Sequence, residues 1–291
     1  MAAAAKHNIV VFATLLLFPI ILSSVQGERV WFQDEQSHQI DRDYEAHNIF
    51  IVNGTNVSLE SGSITAPESG DDGEDAVRVE DATFHAKNGK IFGGLGLGGT
   101  GVTISTTRNS DYPPGTAIFE AGVEVYGGDA TRDETTKGGD AVQVLQSDST
   151  ATFNGGKFVP GLGCTIKVCG TTTDNGVALQ VIEGEAIVKG GNFEGVLYNY
   201  SGRIEVHGCV VYDKGAQKIT GVLLDGSNIE VNYGQPKGSD RPPVIVYQPE
   251  LCPKEAPDSP LSSNRGANMN PLAWFTSSLI SILEVILTLQ L

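Results

Sequence analysis

Thr150-Ala151-Thr152-Phe153-Asn154-Gly155-Gly156-Lys157-Phe158 overlays Glu185-Ala186-Ile187-Val188-Lys189-Gly190-Gly191-Asn192-Phe193 without a gap. Each segment alternates apolar and polar residues, reaches a glycine pair, and then resumes with an aromatic. Period-two alternation marks a strand with one buried face. Upstream of these segments, Asp140-Ala141-Val142-Gln143-Val144 and Val177-Ala178-Leu179-Gln180-Val181 share a second frame, which Asp75-Ala76-Val77-Arg78-Val79 also fits. Two strands and a glycine turn therefore recur as one unit, the mark of a repeat architecture.

Working outward, the second strand is traced by the apolar pairs Val57/Leu59, Phe84/Ala86, Val123/Val125, Ala151/Phe153, Ala186/Val188, Ile204/Val206 and Ile229/Val231. Steps between their second members are 27, 39, 28, 35, 18 and 25 residues. Similarity at whole-unit spacing favours pairing between equivalent strands of successive units, about 4.8 Å apart, over hairpins between neighbours in sequence. The expected fold is all-β, a single-stranded parallel β-helix, with a β-sandwich as the competing arrangement. Gly127-Gly128, Gly155-Gly156 and Gly190-Gly191 are expected at one corner of successive coils, where φ is positive. Cys209 stands in place of a second glycine in the coil of Ile204/Val206.

Among 291 residues there are 36 glycines, 19% charged residues and 7% aromatics, as many turns between short strands require. A net charge of −16 excludes a phosphate-backbone partner, so nucleic acid is not expected. Residues 1–27 read as a signal peptide: Lys6, an apolar run from Ile9 to Leu22, then Ser23 to Gly27, with cleavage before Glu28. Residues 28–47 read as an N-terminal cap and 48–235 as the β-helix. The proline-bearing 236–271 reads as a stalk, with Val244 to Tyr247 a last edge strand. The apolar tail 272–291 follows the small residues Ser262-Ser263-Asn264 and a short spacer, the pattern of a GPI-anchor signal; a transmembrane helix is the alternative. Secretion to the cell surface with membrane attachment at the C-terminus is the resulting expectation. Asn53, Asn56 and Asn199 open N-glycosylation sequons. Four cysteines in an oxidising compartment allow three pairings, of which Cys164 with Cys169 and Cys209 with Cys252 is expected. The C-x4-C spacing lacks a matching second pair for zinc.

Together these units resemble right-handed parallel β-helix repeat proteins, the broad pectin-lyase-like superfamily, and in particular its secreted non-enzymatic members. The resemblance covers about residues 48 to 235. It implies a right-handed solenoid but no single activity, because the superfamily includes polysaccharide lyases and hydrolases as well as adhesins and surface proteins. Insertions fall in Thr65 to Asp75, Phe92 to Gly101, Asp129 to Asp140 and Val159 to Gly176, and insertions at one corner project from one face. That face is the expected binding surface for an extracellular glycan or cell-wall component. Two insertions are acidic: Asp71, Asp72, Glu74 and Asp75, and Asp129, Asp133, Glu134 and Asp140. Such carboxylates are calcium ligands in suitable geometry, but no calcium-loop spacing is present, and solvated charge is the competing reading. Polysaccharide cleavage would need clustered carboxylates or calcium with a base. Asp71-Asp72 and His207-Gly208 superficially match polygalacturonase elements, yet the Asn-Thr-Asp and Arg-Ile-Lys motifs are absent, so no catalytic residue is assigned. Gly93 to Gly99 lacks the Gly-Lys-Ser/Thr ending of a phosphate loop and reads as a flexible inter-coil loop.

Overall fold

The computed structural model describes residues 29–68, 73–95, 98–107, 111–130, 137–163 and 175–252, which belong to one compact unit ending at Cys252. These residues are almost wholly β, with one short 3-10 turn, Pro249–Leu251. The strands are β1 (Arg29–Phe32), β2 (Ser37–Ile40), β3 (Tyr44–Glu45), β4 (Asn48–Val52), β5 (Asn56–Leu59), β6 (Ser63–Thr65), β7 (Val77–Glu80), β8 (Thr83–Phe92), β9 (Val102–Ser105) and β10 (Thr116–Tyr126). They continue as β11 (Val142–Val144), β12 (Thr150–Val159), β13 (Leu179–Val181), β14 (Glu185–Phe193), β15 (Val196–Asn199), β16 (Arg203–Asp213), β17 (Lys218–Leu223), β18 (Asn228–Gly234) and β19 (Val244–Tyr247). All nineteen join in a single curved, mostly parallel sheet with a solenoid-like pattern of pairing.

Three ladders run through it. The first joins β1, β4, β7, β9, β11, β13, β15 and β18. The second joins β2, β5, the leading halves of β8, β10, β12, β14 and β16, and finally β19. The third joins β3, β6 and the trailing halves of β8, β10, β12 and β14. The gap-free overlay of 150–158 on 185–193 is the spatial register of β12 on β14, with Thr150 against Glu185 and Phe153 against Val188.

Period-two alternation puts one apolar residue of each repeat on top of its equivalent in the next. The first ladder stacks Ile49, Val77, Val102, Val142, Leu179 and Leu197; the second stacks Leu59, Ala86, Phe119, Phe153, Val188 and Val206. The third stacks Ile64, Ile91, Val125, Phe158 and Phe193, and all of these side chains are buried. Phe153 meets Phe158 edge-on at 4.8 Å, locking the second ladder to the third. Each fully buried phenylalanine contributes on the order of 2–3 kcal/mol by leaving water.

Three expectations are corrected. Ala117/Phe119, not Val123/Val125, continues the second ladder, because β10 turns a corner and carries two inward alternations in one strand. With Phe119 in place, the uneven steps of 39 and 28 residues become 33 and 34. Ile229/Val231 lies outside that ladder as well: β16, β17 and β18 form an antiparallel meander, with β18 returning in parallel to β15. Finally, Gly127-Gly128 is not at the corner of Gly155-Gly156 and Gly190-Gly191. That corner bends each long strand between the second and third ladders, and there Gly156 and Gly191 take φ of +98° and +108°. The segment 28–47 contributes β1 to β3, each in register with the next repeat, so its described part is itself the first repeat.

Candidate functional site

After the third ladder the chain leaves β6, β8, β10 and β12 for an insertion and then returns to the first ladder, whereas β3 and β14 pass to it through two residues. Outgoing and returning limbs meet in a packed layer of glycine backbone. Gly94 donates its N–H to the Glu74 carbonyl, Gly99 to Gly94, Gly128 to Gly99, Gly139 to Gly128, Gly161 to Gly139 and Gly176 to Gly161, at 2.7–3.0 Å. Outgoing limbs (Gly94, Gly128, Gly161) and returning limbs (Gly99, Gly139, Gly176) thus alternate along one zigzag of hydrogen bonds. Side chains have no place in it: a Cβ on Gly128, Gly139 or Gly161 would lie 2.0 Å from the carbonyl oxygen of Gly94, Gly99 or Gly128 respectively. The bases of the insertions from Phe92, Asp129 and Val159 therefore share one corner. Gly93, Gly94 and Gly99 are hydrogen-bonded to the backbone of neighbouring limbs, and the tip of that loop, 96–97, lies outside the described residues.

Alongside the layer runs a groove of about 630 Å³, within the roughly 300–1,000 Å³ of small-ligand sites. Its floor is the outward ladder one residue beyond the buried third-ladder positions. Thr65, Phe92, Tyr126 and Val159 follow Ile64, Ile91, Val125 and Phe158, in register from repeat to repeat. Its walls include Pro67, Glu68, Leu95, Asp129, Pro160 and Leu162. Leu95 and Leu162 are 42% and 48% exposed.

Strand spacing sets the aromatic geometry. Phe92 and Tyr126 stack with centroids 4.9 Å apart and planes 10° from parallel, the separation that neighbouring strands impose. On the other side of Phe92 the ladder position is Thr65, smaller than a ring, and both residues line the groove. Tyr126 is held in place. Its hydroxyl donates to Glu124 at 2.5 Å, and that hydrogen bond, with burial, raises its pKa to about 12. The same hydrogen bond and Lys90, 3.2 Å away, hold the Glu124 carboxyl below its usual range. Lys157 lies over the Tyr126 ring at 5.9 Å and pairs with Glu194 at 3.0 Å.

The residues singled out in the sequence are dispersed. Asp71, Asp72, Asp133, Glu134, Cys164 and Cys169, and both terminal segments, lie outside the described residues. Asp129 lines the groove and accepts the Leu162 N–H at 2.7 Å. Asp140 is 6% exposed, accepts the Val177 N–H at 2.9 Å and faces Lys137 at 3.3 Å; burial raises its pKa, as it does that of Asp75. Glu74 enters the glycine layer through its carbonyl. Among the described residues no three His, Cys, Asp or Glu side chains converge as metal ligands would. His207 sits 3.1 Å from Glu205, which also meets Arg203, and Arg203 reaches Glu185 at 2.5 Å.

Cys209 and Cys252 form a disulfide, tying the turn at Pro249–Leu251 to the glycine corner of β16. Asn53, on the turn after β4, and Asn56, at the start of β5, are exposed. Asn199 is not. It ends the inward row of Val144 and Val181, is 2% exposed, and donates from Nδ2 to the Tyr233 hydroxyl at 3.1 Å. A glycan there has no path to solvent in the folded chain. Comparison of the chain with protein-family models, with curated proteins and with solved structures finds no match.

Proposed function

We propose that the chain is a right-handed parallel β-helix of the pectin-lyase-like type, acting outside the cell as a non-catalytic protein that holds a glycan in the groove of the loop-bearing corner. The observation that carries this reading is Phe92, which lines the groove stacked on Tyr126 on one side and with only the small Thr65 beside it on the other. A pyranose ring packs its C–H groups on such a ring, and Glu68, Asp129 and the backbone nearby supply acceptors for its hydroxyls. Pre-stacking on Tyr126 fixes the platform before a ligand arrives, which lowers the entropy lost on binding. The signal peptide, the sequons at Asn53 and Asn56, and a C-terminal anchor would place this groove at the cell surface.

Titration of the secreted protein with oligosaccharides tests the reading. Phe92→Ala removes an outward side chain and leaves the buried ladders intact, so affinity should fall by about tenfold or more with stability nearly unchanged. Unchanged affinity would refute the groove as the site. Release of reducing ends or unsaturated uronates from a polysaccharide, lost in His207→Ala, would establish the lyase or hydrolase alternative instead. Recovery of a peptide containing Trp274 from the mature protein would exclude cleavage at an anchor signal.

A further inference from the structure

Among the described residues, the charged side chains that line the groove are two carboxylates, Glu68 and Asp129, and no lysine, arginine or histidine is among them. The cations nearest its floor are already committed. Lys90 is paired with Glu124 at 3.2 Å and Lys157 with Glu194 at 3.0 Å, and Glu124 is further occupied by the Tyr126 hydroxyl. The chain as a whole carries −16. From this balance of charge we infer that the groove selects against acidic glycans and takes an uncharged one, whose hydroxyls donate to Glu68 and Asp129. The inference rests on the glycan-binding reading above, and it runs against the uronate ligands that a likeness to pectin-degrading proteins would suggest.

The physical reason is one-sided. A uronate entering the groove loses water without gaining a cation from the described lining residues, and it faces two negative charges in a recess where screening is reduced. A neutral sugar meets the same carboxylates as hydrogen-bond acceptors, and charge-assisted bonds of this kind are the stronger ones. Asp129 keeps one oxygen on the Leu162 N–H at 2.7 Å, which holds the carboxylate in place.

The whole secreted chain would be titrated in parallel with hexamers of β-1,4-linked glucose, xylose, mannose and glucosamine and with hexamers of galacturonate and mannuronate, at low and at physiological salt. At least one neutral hexamer should bind, and both uronates should bind at least about tenfold more weakly at low salt, the gap narrowing as salt is added. Glu68→Gln with Asp129→Asn keeps the acceptors and removes the charge. It should strengthen uronate binding about tenfold and weaken neutral binding, which loses two charge-assisted hydrogen bonds, so that the gap between the two classes closes. Uronates binding as tightly as the neutral hexamers, or glucosamine binding in place of them, would overturn the inference and leave the glycan reading standing. Binding of none of these sugars, or binding indifferent to Phe92→Ala, would instead remove the glycan reading on which it rests.

Discussion

Replacing Gly128 by alanine is the severest small perturbation this fold offers. The new methyl would stand 2.0 Å from the Gly94 carbonyl oxygen, where ordinary contact begins at 3.4 Å, so the limbs must part by about 1.4 Å. Gly128 sits between two hydrogen bonds of the glycine layer, 2.7 Å to the Gly99 carbonyl and 2.8 Å from the Gly139 N–H. Parting the limbs by that amount breaks both, and each buried polar group left unpaired costs about 1–3 kcal/mol. Two broken bonds leave four such groups, so the expected loss is about 4 kcal/mol or more, equivalent to a fall in Tm of at least roughly 8–16 °C for a domain of this size. Gly215→Ala is the control. Its methyl would meet only Asp213 Oδ1 at 3.3 Å on an exposed turn, so its effect should stay within about 0.5 kcal/mol. Guanidinium and thermal unfolding of the two variants, followed by circular dichroism, give the comparison. A Gly128→Ala protein as stable as Gly215→Ala would show that the limbs do not pack as described.

Three further outcomes are expected. Val188→Asp puts a charge among stacked apolar side chains and should cost at least about 4 kcal/mol, whereas Thr152→Asp, on the outward row one repeat away, should cost less than about 1 kcal/mol; equal tolerance in denaturant melts would refute the register. Peptide mapping of the secreted protein should find N-glycan at Asn53 or Asn56 and none at Asn199, and an occupied Asn199 in folded protein would contradict its inward placement. Burial raises the Asp140 pKa above 3.8, so the folded state binds this proton more tightly than the unfolded chain does. Its contribution to stability is therefore full below 3.8 and is lost as pH rises through the raised value. Asp140→Asn, which can still accept the Val177 N–H, should be more stable than the parent at pH 7, and the difference should shrink on acidification toward pH 4; a gain independent of pH would rule out the buried charge as its cause.

Much of this architecture was legible because the sequence repeats what the structure stacks. The overlay of Thr150 to Phe158 on Glu185 to Phe193 needs no gap, and side chains equivalent in sequence are neighbours in space. Errors arose where one local pattern serves two purposes. Val123/Val125 alternates as well as Ala117/Phe119, because β10 lines two ladders in succession, and the pair with more aliphatic surface drew the assignment. Ile229/Val231 has the alternation of any half-buried strand, and alternation carries no information about whether the partner runs parallel or antiparallel. A glycine pair can supply positive φ or permit close approach. Gly155-Gly156 does the first and Gly127-Gly128 the second, and nothing in the dipeptide separates them. The groove leaves a readable trace: Phe92 and Tyr126 each come directly after an inward residue and so sit in the outward phase, where a large aromatic suggests a surface role.

The ladders also order events in time. Apart from the meander of β16 to β18, every strand pairs with an equivalent in the repeat before or after it, so each newly made repeat finds its template already in place. A middle repeat of 33 to 35 residues takes roughly 2–7 s to synthesise at about 5–20 residues per second, far longer than local strand docking requires. Stacking can therefore keep pace with translation from the amino end. Until the last strands arrive, the growing end is an open parallel edge able to recruit the wrong chain. The antiparallel turn of β17 and β18 reverses the direction of that edge, and β19 with the Cys209–Cys252 bond fastens the last described strand against β16. A chain stopped before Lys218 would retain every ladder up to β16 yet lack its terminator, and so would be prone to run on into its neighbours.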